Sequence, residues 1–313
     1  LNPVPKKGYT PMHCACRRGN SAMVKLLTKY GARHDIADNE GVLPIHLSLQ
    51  YGHTNTSRLL LTDTSVIGDT DDYGIGCIHY SCYSGEVTTL KLLVEALVYS
   101  SSSFTGPSLD TLANSCTKSG MVPVHFCHTN PTVDCLDLLL QLDANICAVD
   151  QDGNSVLHKC AIVNNSVLTD HILHHQNQEE GSQSIINIQN MNMDTALHIA
   201  CSYGHTETCL SLLRYGALTH ILNQNGRTAL LCMKGTNAIR SLQCAAYNHD
   251  LYNWLCEQFP DCHEHLISDC THTLSQDGIF TKSDFLSLSF NELTDSYLQT
   301  LGIEKIILRK KIR

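Results

Sequence analysis

Apolar residues recur along this chain in paired short runs at a fixed period. His13, His46 and His79 stand 33 residues apart; His125 follows after 46, His158 after 33 and His198 after 40. Each is preceded by an apolar residue, and Leu231 takes the next slot, 33 further on. Gly8, Gly41, Gly74, Gly120, Gly153 and Gly226 lie five residues before these positions, with Met193 in their place in the sixth unit. Six residues after them come Gly19, Gly52, Gly85, Pro131, Asn164, Gly204 and Asn237. Gly and Asn accept the left-handed conformation that ends a helix, so the spacing predicts a helix of about two turns starting near each histidine. Leu26-Leu27, Leu59-Leu60, Leu92-Leu93 and Leu138-Leu139 mark a second helix in the first four units. Polar segments such as Asp38-Asn39-Glu40-Gly41, Asp71-Asp72-Tyr73-Gly74 and Asp150-Gln151-Asp152-Gly153 predict β-hairpin turns between units. The expected fold is an all-α solenoid in which each helix pair buries its apolar face on its neighbours.

Gly8-Tyr9-Thr10-Pro11-Met12-His13-Cys14-Ala15-Cys16 and Asp194-Thr195-Ala196-Leu197-His198-Ile199-Ala200-Cys201 resemble ankyrin repeats, as do the closing pairs Gly31-Ala32 and Gly216-Ala217. The resemblance covers residues 8–240 in seven units, after a flank at 1–7. Leu43, Gly76 and Val122 stand where that family prefers Thr, Cys77 replaces Pro and Leu231 replaces His, which points to distortion in units three and seven. Extra residues near 100–112 and 176–184 interrupt the register and are expected as surface loops. The resemblance implies that His13, His46, His79, His125, His158 and His198 are structural, their rings bonding backbone between adjacent hairpins.

After residue 240 the period stops. Leu251-Tyr252-Asn253-Trp254-Leu255, Leu301-Gly302-Ile303 and the basic end make residues 248–313 similar to a sterile alpha motif (SAM) domain, a five-helix bundle. Such domains join a positive end-helix surface to a negative one, which implies self-association or pairing between Asp284 and Glu292 on one face and Lys305, Arg309, Lys310 and Lys311 on another. Some SAM domains bind RNA hairpins. Some proteins that combine both families, the tankyrases among them, carry a catalytic domain elsewhere, so a substrate-recruiting role within a larger enzyme is the alternative.

Composition narrows the chemistry. The chain has 313 residues, 42% apolar and 16% charged, which suits an ordered protein of about two domains or one array. A formal charge of −9 repels nucleic acid and anionic membrane, so RNA binding is the weaker expectation. No apolar run is long enough to span a membrane, and the opening Leu1-Asn2-Pro3-Val4-Pro5 lacks the core of a secretory signal, so a cytoplasmic chain is expected, with the nucleus as an alternative. Its first residue is not Met, so a natural start upstream is expected. The sixteen cysteines carry no disulfide or zinc spacing. Cys16, Cys82, Cys127, Cys160 and Cys201 sit where other units have Ala or Ser and are read as small core residues. Cys256, Cys262, His263, His265, Cys270 and His272 form the densest group of metal-type side chains, without an anchoring Cys-x-x-Cys. His171 and His175 face one side of a helix and are read as a solvated pair.

No phosphate-binding loop, His-Glu-x-x-His or Gly-x-Ser-x-Gly occurs, so neither catalysis nor a cofactor is expected and function falls to surfaces. Hairpin acids Asp38, Glu40, Asp71, Asp72, Asp150 and Asp152, with Tyr51, Tyr73, Tyr83 and Tyr203, are the candidate partner-binding residues. Tyrosine buries area at low entropic cost and acids steer a basic partner, so a Lys/Arg-containing peptide of a protein partner is the expected ligand.

Overall fold

The computed structural model describes residues 8–99, 108–129, 133–178 and 185–233. The flank at 1–7, the SAM-like match with its association residues Asp284, Glu292, Lys305, Arg309, Lys310 and Lys311, and the cysteine-histidine group at 256–272 lie outside them. The chain divides into two compact bodies, Leu1–Ala196 and Leu197–Arg313.

In the first body the helices come in pairs: α1 (Pro11–Arg17) with α2 (Ser21–Lys29), α3 (Pro44–Gln50) with α4 (Thr54–Leu60), and α5 (Cys77–Ser84) with α6 (Val87–Tyr99). The short α7 (Leu109–Ala113) follows in the first insertion, then α8 (Pro123–Phe126) with α9 (Asp134–Gln141) and α10 (Val156–Val163) with α11 (Ser166–Gln178). The first helices of the pairs pack in a row, α1 on α3, α3 on α5, α5 on α8 and α8 on α10, while α2, α4, α6 and α9 form the second layer. Helices this short are marginal in water and hold their shape through neighbours. Leu49, Leu90, Leu136, Leu139, Leu157, Leu168 and Ile172 supply that packing, each fully buried, at about 2 kcal/mol of transfer free energy apiece. Between the layers the chain reverses through left-handed residues; at α10 this is Asn164, with φ 62°, and its amide tolerates what a branched side chain would resist.

The described part of the second body holds α12 (Ala196–Tyr203) from Leu197 onward, α13 (Thr206–Arg214) and a 3-10 turn at Ala229–Cys232.

Two expectations need correction. The hairpins contain no strands among the described residues; two isolated bridges, Thr70↔Gly76 and Leu222↔Thr228, are all the pairing they show. Side chains close these turns instead of strand ladders. Unit three is regular: Gly76 enters α5 in extended backbone, and its N–H is satisfied by His79 Nδ1 at 3.2 Å, so no hydroxyl cap is needed. The distortion falls in unit four, where α8 ends at Phe126 and passes into a 3-10 turn at Cys127–Thr129. The seventh unit is described only through its 3-10 turn, and Asn237 lies outside.

Candidate protein-interaction surface

Every hairpin whose first residue is Asp or Asn is closed by that side chain. Asp38 Oδ1 accepts from the backbone N–H of Glu40 and Val42, both at 2.9 Å. Asp71 Oδ1 accepts from Tyr73 and Ile75, and Asp150 Oδ1 from Asp152 and Asn154. Asn190 and Asn223 repeat the pattern in later units. Short polar side chains that bond backbone two and four residues on are strong turn makers. Met193, where other units have Gly, takes the same left-handed backbone, φ 57°. Successive tips of the first body are then linked: Asp72 N–H donates to Glu40 O, Lys118 N–H to Tyr73 O, Gln151 N–H to Ser119 O and Met191 N–H to Asp152 O, at 2.8–2.9 Å.

These bonds divide the candidate acids. Asp71 and Asp150 are 5% and 7% exposed, which corrects the expectation that they meet a partner. Asp71 Oδ2 accepts the Tyr80 hydroxyl at 2.7 Å. Lys159 Nζ lies 2.6 Å from Asp150 Oδ2. Burial pulls the Asp150 carboxyl upward, but Lys159 and the Asn154 bonds outweigh it and hold it below the usual carboxylate range. Asp38 is half-buried, whereas Glu40, Asp72 and Asp152 are exposed. None of these three forms a salt bridge among the described residues.

The recurrent histidines do the corresponding work beneath the tips. His13 Nδ1 accepts from Thr10 N–H at 3.1 Å and its Nε2 donates to Val42 O at 2.9 Å, in the next hairpin. His79 reaches Ser115 O, His125 reaches Asn154 O and His158 reaches Asp194 O, at 3.0–3.1 Å. Within the second body His198 reaches Arg227 O at 3.1 Å. His46 departs from the series. Its Nδ1 accepts from Leu43 N–H, but its Nε2 approaches the Asp69 backbone without forming a well-aligned hydrogen bond, and its ring stacks on Tyr80 with centroids 5.0 Å apart. Burial lowers His13, His125 and His158 and takes His46 and His79 to about 4.

A depressed imidazole stays neutral when folded but takes a proton in the unfolded chain below its ordinary 6.5. That stability is complete above pH 6.5 and drains as pH falls towards about 4, by up to about 1.4 kcal/mol per pH unit for each histidine. Urea midpoints are expected to drop steeply over that window; a flat profile would contradict the neutral, buried assignment.

Burial also pushes the Cys16, Cys77 and Cys135 thiols up to about 12, so they behave as small core residues and not as nucleophiles. Cys82, Cys127, Cys160 and Cys201 are buried too. His171 does not stand free on its helix: its Nε2 lies 2.6 Å from Asp137 Oδ1. Among the described residues no group of three or more His, Cys, Asp or Glu side chains could hold a metal ion.

Of the candidate partner-binding residues, those left outward are aromatic and acidic. Tyr51, Tyr73 and Tyr83 of the first body are 47%, 60% and 44% exposed, and Tyr203 of the second is 62% exposed. Sequence reasoning did not find Arg17, whose guanidinium lies 5.9 Å over the Tyr51 ring, with His53 stacked beside that ring. Its position four residues past His13 could have flagged it as an exposed residue of the first helix.

Comparison with known families bears on this arrangement. The family model described as ankyrin repeats, three copies, matches residues 1–71, and the single ankyrin repeat model matches residues 192–224. The two matched stretches are ankyrin repeats. Among solved structures, the ankyrin repeat domain of Bcl-3, a unique member of the IkappaB protein family, is 25% identical, with TM-score 0.53, covering 76% of this chain and 100% of that one. The human ASB11 ankyrin repeat domain is 19% identical, with TM-score 0.61, covering 76% and 98%. No curated protein sequence matches. Ankyrin repeats are in general non-catalytic scaffolds that bind protein partners, so the chain carries a protein-interaction module. No helix among the described residues is long and apolar enough to cross a membrane.

Proposed function

We propose that this chain is a non-catalytic adaptor whose ankyrin tips receive a Lys/Arg-containing segment of a protein partner. The observation that carries the reading is the exposed acids Glu40 and Asp72 on bonded neighbouring tips, with no cation of this chain paired to them among the described residues. Exposed Tyr73 follows Asp72 on the same tip, and Asp152 repeats the acid two units on. Unpaired carboxylates steer a basic chain, and the rings then bury its stems. Asp71 and Asp150 hold the tips and contribute no contact.

The test is binding of fluorescent basic and acidic peptide sets to the chain across a salt series. The basic set is expected to bind, to weaken with salt, and to lose about tenfold in affinity in Glu40→Lys/Asp72→Lys. Binding that survives both changes would reject the reading.

The SAM-like stretch at 248–313 is proposed to add self-association or a second docking point through Lys305, Arg309, Lys310 and Lys311 against Asp284 and Glu292, a reading that rests on sequence resemblance. Sedimentation that depends on concentration and is reduced by Lys310→Glu supports it; an invariant monomer would not. Placement in the cytoplasm is part of the same proposal.

A further inference from the structure

Two thiols of the second body touch. Cys201 on α12 and Cys209 on α13 bring their Sγ atoms to 3.7 Å, and both are buried, at 1% and 0% exposure. The turn between the helices holds them there, since His205 N–H donates to Ala200 O at 2.9 Å and Gly204 N–H to Cys201 O at 3.1 Å. A third thiol stands at the edge: Cys232, half-buried on the 3-10 turn, is close enough to act electrostatically on Cys201. Asn223 Nδ2 donates to Cys232 Sγ at 3.7 Å, which fixes the thiol at that edge. A buried pair with a more accessible thiol beside it differs from Cys16, whose only influence is burial itself.

We propose that Cys201 and Cys209 are a latent disulfide of this protein, closed by a hydroperoxide oxidant that enters through Cys232. The Cys232 thiolate attacks a peroxide oxygen, breaking the O–O bond, and becomes a sulfenic acid as one water leaves. Cys201 attacks that sulfur and displaces the second water, forming a Cys201–Cys232 bond. Cys209 then attacks the Cys201 sulfur, and Cys232 departs as a thiol. The balance is two thiols and one hydrogen peroxide giving one disulfide and two waters. The product ties α12 to α13 through their buried faces.

The experiment titrates the folded full chain with hydrogen peroxide, blocks remaining thiols after unfolding, and digests with chymotrypsin, which cuts after Tyr203 and so separates the two cysteines. Linked peptides containing Cys201 and Cys209, lighter by two hydrogens, are expected, while Cys16 is recovered blocked. Cys232→Ser is expected to slow the linkage about tenfold with an unchanged urea midpoint. Recovery of Cys201 and Cys209 as blocked thiols after Cys232 has been consumed would overturn the proposal. So would a bond that stays on Cys232, or closure at the unaltered rate in Cys232→Ser.

Discussion

Gly41→Ala is expected to cost about 3 kcal/mol of stability, read as a lower urea midpoint. Two effects add. Gly41 sits at φ 77°, where any side chain costs about 1–2 kcal/mol. An added Cβ would also stand 2.8 Å from Asp72 N and 3.1 Å from Asp71 Cα, in the backbone of the next hairpin. It would push on the tip whose N–H bonds Glu40 O. Gly31 supplies the control: its φ is 79°, but an added Cβ there would meet nothing within 4 Å, so Gly31→Ala is expected to cost only about 1 kcal/mol. Equal losses in the two variants would show that the close approach of neighbouring hairpins contributes nothing.

His158→Ala is expected to cost about 3–4 kcal/mol. The ring accepts from Ser155 N–H at 3.0 Å and donates to Asp194 O at 3.0 Å, so its removal leaves a cavity, a buried donor and an acceptor together. His46→Ala loses the bond to Leu43 N–H but no well-formed Nε2 bond, and should cost about 1 kcal/mol less. The same urea series reads both, and a His46 variant as damaging as the His158 variant would contradict the bridge as the source of the difference.

The repeat was legible because its frame depends on residues with narrow physical roles: glycine for left-handed backbone, histidine for a two-ended bond, leucine for the seam. The tips were less legible, because Asp38, Asp71 and Asp150 look alike in sequence to Glu40, Asp72 and Asp152. What separates the two sets is position within the turn. The first residue can bond N–H groups two and four ahead and is drawn inward; the residue two later points out. Asp72, which directly follows Asp71, also points out. The partner of the inward carboxylate was hidden as well, since Tyr80 and Lys159 stand nine residues further on, across a helix entrance. Unit three survived its departures because the ring of His79 caps a helix start without help from a hydroxyl. Unit four broke at Phe126, although its departure from the motif, Val122 in place of Thr, lies at the start of the helix and not at its end.

His13, His79, His125 and His158 are neutral bridges, and they leave the outward side chains to do the protein's work. Long-range nitrogen–proton NMR correlation on histidine-labelled chain near neutral pH tests this most directly. His13, His79, His125 and His158 are expected to carry their proton on Nε2, slow to exchange, with Nδ1 bare, and added zinc is expected to leave those signals unmoved. Doubly protonated rings, or signals that shift on zinc addition, would contradict the neutral bridge.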